Sequence, residues 1–411
     1  MQPPAPEGSE FALGWRVILA AAVGVGLGIT GVPIYTIGQF VRPLGDAFGW
    51  SRTAVASGLT VLTACSVVMA PVVGVLTERF GVRRVALTAM VGLGVGFITL
   101  SMNGGSLGAY YLGWATLAVL GAGTSPIVWT TAVTSWFERN RGLALGITLC
   151  GTGLVAVIAP GVIGSIIASF GWRTAFGALA AAQIVIGMPA VVLFFRARGQ
   201  SAVVSGVLEN AHSGVALREA VASSRFWRLI LSFFLMSMVI GGMIVNLPAM
   251  LADRGVDLAQ ASRALGLLGV AIILGRLSVG LLVDRLTPRF VAATYIALPS
   301  VACLLLAQQS AAFPAIVLMG LSTGAEVDLL AYLVSRYFGL LHYARIYGWA
   351  LAAFSAGVGL GPPIAAWVRD TTGDYTTALY VFAVMAGAAA TLVASLGRPL
   401  TPRESAPVRP Q

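Results

Sequence analysis

Apolar residues in this chain are gathered into long, continuous runs. Each run is about 20 residues or more in length, which is what a helix needs to cross the hydrocarbon core of a bilayer. Short polar segments separate the runs, and none of the runs shows the alternation of a membrane β-barrel. The pattern predicts twelve membrane-spanning helices: 16–41, 53–76, 85–103, 107–134, 142–168, 174–195, 227–251, 262–283, 290–308, 312–337, 346–368 and 376–396.

The composition agrees with an all-α membrane protein that uses lipid as its solvent. Hydrophobic residues make up 58% of the chain, charged residues make up 10%, and the mean hydropathy is +0.90. Soluble domains are about a quarter charged. The first 15 residues lack the basic segment of a cleavable signal peptide. The three cysteines lie at unrelated spacings within apolar runs, so we expect no disulfide framework, metal site or cofactor.

The net charge of the chain is +10, and all of its positive charge comes from arginine, because the 25 basic residues include no lysine. These arginines stand in short segments between apolar runs, so we interpret them as a signal of membrane topology and expect no nucleic-acid partner. With an internal N-terminus, eighteen arginines fall on the inner side and six on the outer side, and Arg276 lies within a run. The positive-inside rule therefore predicts an inner-membrane protein with both termini in the cytoplasm.

The longest polar interruption divides the runs into two sets of six. Within it, residues 214–223 could form a short amphipathic helix, although a plain linker is the simpler interpretation. We predict five segments: a cytoplasmic tail (1–15), a six-helix bundle (16–195), a cytoplasmic linker (196–226), a second six-helix bundle (227–396) and a cytoplasmic tail (397–411).

The two halves repeat each other. The sequence GVLTERFGVRR begins at Gly74, and the related GLLVDRLTPR begins at Gly280, 206 positions later. Three further residues recur 202 positions apart, since Gly146, Pro160 and Gly171 correspond to Gly348, Pro362 and Gly373. Such internal repeats of six spans are typical of certain transporter folds.

The repeated loop resembles the G-x-x-x-D-R-x-G-R-R/K motif of the major facilitator superfamily. Glu78 stands where the motif usually has Asp, and Thr287 replaces a Gly in the second copy. The resemblance extends over the whole chain and implies the major facilitator fold, with two pseudo-repeats of six helices each. It also implies gating residues that can bridge neighbouring helices when the cytoplasmic side is closed. The residues concerned are Gly74, Glu78, Arg79, Gly81, Arg83, Asp284 and Arg285, together with Arg139 and Arg141 before the fifth run.

A narrower resemblance is to the monocarboxylate transporters and the oxalate/formate antiporters. The stretch WFERNRGLALGI from Trp136 is similar to their Y-F-x-K-R-R-x-L-A-x-G pattern. The stretches Tyr35–Arg52, Gly275–Arg285 and, more weakly, Asn246–Gly255 also carry the resemblance. It implies that Arg276 binds the carboxylate of a substrate.

Three ionisable side chains lie deep within the runs: Arg276, Glu326 and Asp328. At 1.5 Å per residue from the helix ends, Arg276 is about 12 Å and Glu326 about 15 Å deep, near the midplane where transporter sites lie. An arginine can hold a carboxylate by two parallel hydrogen bonds. The alternative is a structural ion pair with one of the acids, and both can hold if an acid keeps Arg276 in the empty state.

Glu326 and Asp328 are two positions apart, so they point about 200° apart on a helix. Asp328 shares a polar stripe with Tyr332 and Ser335. Because burial favours the neutral form of a carboxyl group, we predict that one of the acids couples transport to protons, with a preference for Asp328. The alternative is a hydrogen bond between helices. Five further side chains could shape the pocket or simply pack: Tyr35, Tyr111, Trp129, Asn246 and Tyr332.

Together these features predict a secondary transporter for a small organic anion such as a monocarboxylate. They do not predict an enzyme. We expect proton symport by a monomeric unit in the lipid bilayer, with the second half holding the charges and the first half supplying shape. Anion exchange, drug efflux and a non-transporting sensor are the alternatives. No nucleophile–base constellation, phosphate-binding loop or metal cluster indicates an enzyme.

Overall fold

A computed structural model describes residues 9–195, 214–252, 258–308 and 312–397. Residues 1–8, 196–213 and 398–411 of the predicted tails and linker lie outside the described residues. The described part of the N-terminal tail is already helical from Ser9, and the described part of the linker contains the short helix Leu217–Ala222. Within those ranges the chain forms fifteen α-helices: α1 (Ser9–Leu27), α2 (Val32–Phe48), α3 (Arg52–Phe80), α4 (Val82–Ser101), α5 (Leu107–Leu120), α6 (Pro126–Trp136), α7 (Arg141–Ala182), α8 (Met188–Phe194), α9 (Leu217–Ala222), α10 (Ser224–Ala252), α11 (Leu258–Arg285), α12 (Pro288–Ala307), α13 (Ala312–Phe338), α14 (Tyr343–Thr372) and α15 (Thr376–Ala394).

These helices account for all twelve predicted runs. Ten helical segments of the described chain are long and apolar enough to cross a membrane. One of them, Arg141–Phe194, contains two predicted runs, which meet at Gly171, where φ is 81°. The run 107–134 is divided into α5 and α6 by a short 3-10 turn, Ala122–Thr124. The run 16–41 is likewise divided into α1 and α2, at residues 28–31. The predicted twelve-helix membrane architecture is thus confirmed.

The described helices belong to two compact units. The first unit contains α1–α8 and the segment Tyr343–Gly348, and the second contains α9–α13, the rest of α14, and α15. The beginning of α14 therefore packs with the first unit, although most of that helix belongs to the second.

The internal repeat is visible in the helices themselves. Helix α7 begins at Arg141 and α14 begins at Tyr343, which is the same spacing of 202 positions that the sequence repeat shows. Gly171 and Gly373 end the corresponding helical segments with positive φ angles of 81° and 89°. A side chain would be strained in this conformation, which explains why both repeats have glycine there.

Glycines bring α11 and α13 into close contact within the second unit. A Cβ atom at Gly275 would overlap the backbone oxygen of Leu321, and one at Gly324 would overlap the backbone oxygen of Ile272. Small residues on facing helices allow such close backbone approach in membrane proteins. The neighbouring side chains Arg276 and Asp328 are consequently carried on two tightly packed helices.

We expect Gly324→Ala to destabilise the protein, because its added methyl group has no room against α11. Overpacking of this kind costs about 1–3 kcal/mol. Thermal unfolding of the purified protein in detergent would measure the effect. Gly269→Ala is the matched control, since its Cβ would have no atom within 4 Å. Equal melting temperatures for the two variants would contradict the packing described here.

Candidate functional site

The most deeply placed charges form an ion pair between α11 and α13. Nε of Arg276 lies 3.1 Å from Oδ2 of Asp328, and the two side chains are only 11% and 4% exposed. The same Nε also donates to the backbone oxygen of Gly324 at 3.3 Å. A buried charge is tolerated when it is paired and hydrogen-bonded. The structural ion pair considered from the sequence is therefore present, and Asp328 is the acid that forms it.

Helix geometry explains why Asp328 is the partner. Asp328 follows Gly324 by one helical turn, so both residues lie on the face of α13 that packs against α11. Arg276 directly follows Gly275, which makes the close contact from the other side. The glycines thus set the distance between the backbones, and the two charged side chains meet beside them.

Glu326 is buried as well, with 8% of its surface exposed. Its Oε2 atom has no hydrogen-bond partner among the described residues, and the same is true of Oγ of Ser322, one turn earlier. Both carboxylate oxygens of Asp328 also lack a hydrogen-bond donor there, so Oδ2 meets Arg276 as an ion pair. The site therefore combines one arginine with two acids, of which one lies within ion-pairing distance.

The polar stripe beyond Asp328 packs against α11. The hydroxyl of Tyr332 donates to the backbone oxygen of Val283 at 3.2 Å, and the hydroxyl of Ser335 donates to the backbone oxygen of Tyr332. Tyr332 and Ser335 are both buried. These contacts favour a packing role for Tyr332 over the substrate contact considered from the sequence.

Trp129 lies in the core of the first unit. Its ring is fully buried, packs edge-on against Phe195, and occupies the space beside Gly24. Its indole N–H donates to the backbone oxygen of Thr124 at 2.8 Å. This environment leaves no surface of Trp129 for a substrate in the structure described.

The remaining three pocket candidates differ in their hydrogen bonds and in the exposure of their side chains. Tyr111 donates its hydroxyl to the backbone oxygen of Ala54 at 3.1 Å. Asn246 donates to the backbone oxygen of Gly242 at 2.8 Å and accepts from the hydroxyl of Tyr375 at 3.4 Å. Tyr35 on α2 is 41% exposed, the largest exposed share of the five.

Glu78 of the first loop motif contacts the beginning of α14. Its Oε2 lies 2.7 Å from Nε of Arg345, and its Oε1 accepts from the backbone N–H of Arg345 at 3.3 Å. A carboxylate is favourable at a helix N-terminus, where backbone N–H groups lack partners. Gly74 makes room for this contact, because a Cβ there would overlap the backbone oxygen of Ala344.

The other residues of the first motif serve the turn and the neighbouring helix. Gly81 is the single residue between α3 and α4, with φ at 82°. Arg83 donates to the backbone oxygen of Val192 at 2.7 Å, in the last turn of α8. Arg79 is exposed, and its guanidinium lies 5.3 Å from the ring centroid of Phe80.

The second copy of the motif forms its turn without a glycine. Helix α11 ends at Arg285 and α12 begins at Pro288, so two residues connect them instead of one. Thr287 has φ at −64°, which any residue can adopt. This accounts for the missing glycine. Asp284 is partly buried and Arg285 is exposed.

Glu10 holds the loop that carries Arg139 and Arg141. Its carboxylate accepts from the backbone N–H groups of Glu138, Arg139 and Asn140, each at 3.2 Å. Arg141 is buried, and its Nε donates to the backbone oxygen of Phe137 at 2.8 Å. Glu10 was not predicted from the sequence, where its only signal is a carboxylate just before the first apolar run.

Three interrupted helices meet inside the first unit. The side-chain amide of Gln183, in a π-helical turn (Gln183–Gly187), donates to the backbone oxygen of Leu27 at the end of α1. The N–H of Ile29, between α1 and α2, donates to the hydroxyl of Thr124 in the 3-10 turn. An interrupted helix frees backbone groups that lipid cannot satisfy, so buried Gln183 and Thr124 bond to them. Neither residue was predicted from the sequence.

These features define a polytopic membrane transporter, and sequence comparison gives its family. Residues 16–340 and 279–411 match the Major Facilitator Superfamily. The chain belongs to that superfamily, whose members are transporters and not enzymes, so the family predicted from the loop motif is confirmed.

Individual relatives are distant. The MFS-type transporter YhjX of Escherichia coli K12 is 26% identical over 334 residues, which cover 79% of this chain and 81% of YhjX. Human monocarboxylate transporter 11 is 27% identical over 395 residues, covering 91% of this chain and 81% of that protein. The crystal structure of FucP, a superfamily transporter, shares the fold with a TM-score of 0.72 at 15% identity, covering 95% of this chain and 99% of FucP.

We expect Glu78→Ala to lower thermal stability more than Arg345→Ala does. Glu78→Ala removes both the ion pair and the acceptor of a backbone N–H, whereas Arg345→Ala removes only the ion pair. A partly exposed pair contributes about 0.5–1 kcal/mol, and a hydrogen bond to a charged group about 1.5–3 kcal/mol. Melting of both variants and of the double variant would measure this, and a larger loss for Arg345→Ala would contradict the described contacts.

Proposed function

We propose that this protein is a secondary transporter for small monocarboxylates, in which Arg276 binds the substrate carboxylate. One observation carries the proposal: a buried arginine already lies within ion-pairing distance of a carboxylate, that of Asp328. The surroundings of Arg276 therefore accommodate a carboxyl group next to the guanidinium. The similarity to monocarboxylate transporters supports the same substrate class.

Binding of substrate would proceed by competition. A guanidinium stays protonated in a protein, so Arg276 needs an anion beside it both before and after substrate enters. Asp328 supplies that anion in the empty protein, and a substrate carboxylate takes its place on the guanidinium. The site would therefore discriminate against cations and neutral molecules, which argues against the efflux of cationic drugs.

Proton symport follows from the charge of the site. A bound substrate adds a negative charge to a buried site that already contains Glu326 and Asp328. Uptake of a proton by one of these acids would compensate for that charge. Anion exchange is the second candidate, because an exchanged anion also keeps Arg276 paired, and the resemblance to oxalate/formate antiporters favours it.

The transport cycle we propose is alternating access by a monomer in the inner membrane, with both termini cytoplasmic. The distribution of arginines supports this orientation. Glu78 would act as a gating residue in this cycle, as the resemblance of its loop to the superfamily motif implies.

We expect Arg276→Ala to reduce carboxylate uptake about 10- to 100-fold, because a charged hydrogen bond contributes about 1.5–3 kcal/mol. Uptake of radiolabelled acetate, L-lactate, pyruvate and benzoate into proteoliposomes would measure this. Arg276→Lys keeps the charge but loses the planar fork, so its uptake should be intermediate.

Uncharged benzamide serves as the control, and it should not compete with carboxylate uptake. Native uptake of no carboxylate at all would contradict the proposed substrate class. Uptake by Arg276→Ala at the native rate would contradict the role of Arg276 while leaving the substrate class intact.

A further inference from the structure

The two buried acids of α13 have different surroundings. Asp328 lies 3.1 Å from the guanidinium of Arg276. Glu326 points to a face of the helix about 200° away, and its Oε2 atom has no hydrogen-bond partner in the described part of the chain. Both carboxylate oxygens of Asp328 lack a hydrogen-bond donor there too, so the two acids differ in the guanidinium beside Asp328, which stabilises an ionised carboxylate at that position.

Ser322 lies on the same face as Glu326, one helical turn earlier. A serine or threonine inside a helix commonly bonds back to a carbonyl of the preceding turn, as Thr323 does to the backbone oxygen of Met319 at 2.8 Å. Ser322 does not do this: it is fully buried, and its hydroxyl has no partner among the described residues. Oγ of Ser322 and Oε2 of Glu326 therefore form no hydrogen bond with each other in this structure, and both are available for one when a proton binds.

Few other charges face this pair. Helices α10, α11 and α12 pack against α13. Helix α10 has no charged residue after Arg228, and α12 has none after Arg289, while Tyr295 and Cys303 are its titratable groups. From α11 the nearest charge is Arg276, which Asp328 already neutralises. Among the residues that the structure describes, Glu326 thus forms no ion pair of its own.

We propose that Glu326 and Ser322 form the proton-binding site of the transporter and that Asp328 stays ionised, serving as the counter-ion of Arg276 in the empty protein. The inference rests on the proposed proton symport and deepens it, and it reverses the preference for Asp328 that the sequence suggested. A hydroxyl can donate or accept, so Ser322 would accept from the protonated Glu326 and donate to the ionised one. Both protonation states would then have a hydrogen bond.

The charges of this arrangement balance over a transport cycle. The empty, deprotonated site contains Arg276, Asp328 and Glu326 and has a net charge of −1. One proton on Glu326 and one substrate carboxylate on Arg276 restore the same net charge. The loaded and the empty protein therefore reorient with equal buried charge. Symport of one proton with one monocarboxylate would accordingly be electroneutral.

The test compares Glu326→Gln with Asp328→Asn in proteoliposomes, using the carboxylate panel described above. Glu326→Gln should retain measurable exchange of internal for external carboxylate, because its site mimics the protonated state. It should lose accumulation driven by an imposed pH gradient. Asp328→Asn should keep pH-driven coupling while binding substrate with altered affinity. Ser322→Ala should shift the pH at which uptake is half-maximal.

A second readout does not depend on transport. The infrared band of a protonated carboxylic acid, followed against pH in the purified protein, should disappear in Glu326→Gln and persist in Asp328→Asn. The reverse assignment, or pH-driven accumulation that is intact in Glu326→Gln, would overturn the proposed proton site. If the native protein moves no carboxylate, the proposed function fails, and the infrared comparison still decides whether Glu326 holds a proton.

Discussion

A guanidinium group keeps its charge inside a membrane, and this constraint governs the centre of the second unit. Arg276 must have an anion beside it in every state. Asp328 provides that anion in the structure, at 3.1 Å. In the proposed transport cycle, the group that replaces Asp328 must be negatively charged and small enough to reach a buried side chain. A small carboxylate meets both conditions.

Close packing of helices makes this pairing possible. Glycines on α11 and α13 bring the two backbones into contact beside Arg276 and Asp328, and glycines on α3 and α14 do the same beside Glu78 and Arg345. In both places an ion pair forms where glycines allow the backbones of two helices to approach closely. Bulkier residues would push the helices apart and separate the charged groups.

The large-scale features could be predicted from the sequence because they follow from continuous apolar runs and repeated motifs. The twelve runs, the repeat ending at Gly171 and Gly373, and the superfamily all belong to this class. The partner of Arg276 could not be predicted, because both acids lie at suitable depth and only helix packing selects Asp328. The helix interruptions, where Gln183 and Thr124 bond to backbone groups, could not be predicted. Apolar residues continue through these interruptions without a break in the pattern.

The central claim is that Asp328 competes with substrate for Arg276. The most direct test is the affinity of purified native and Asp328→Asn protein for L-lactate, pyruvate and benzoate at one fixed pH, measured by calorimetry. Removal of the competing carboxylate should strengthen binding, on the order of tenfold for a coupling of about 1.4 kcal/mol. Binding that is unchanged or weaker in Asp328→Asn would contradict the competition.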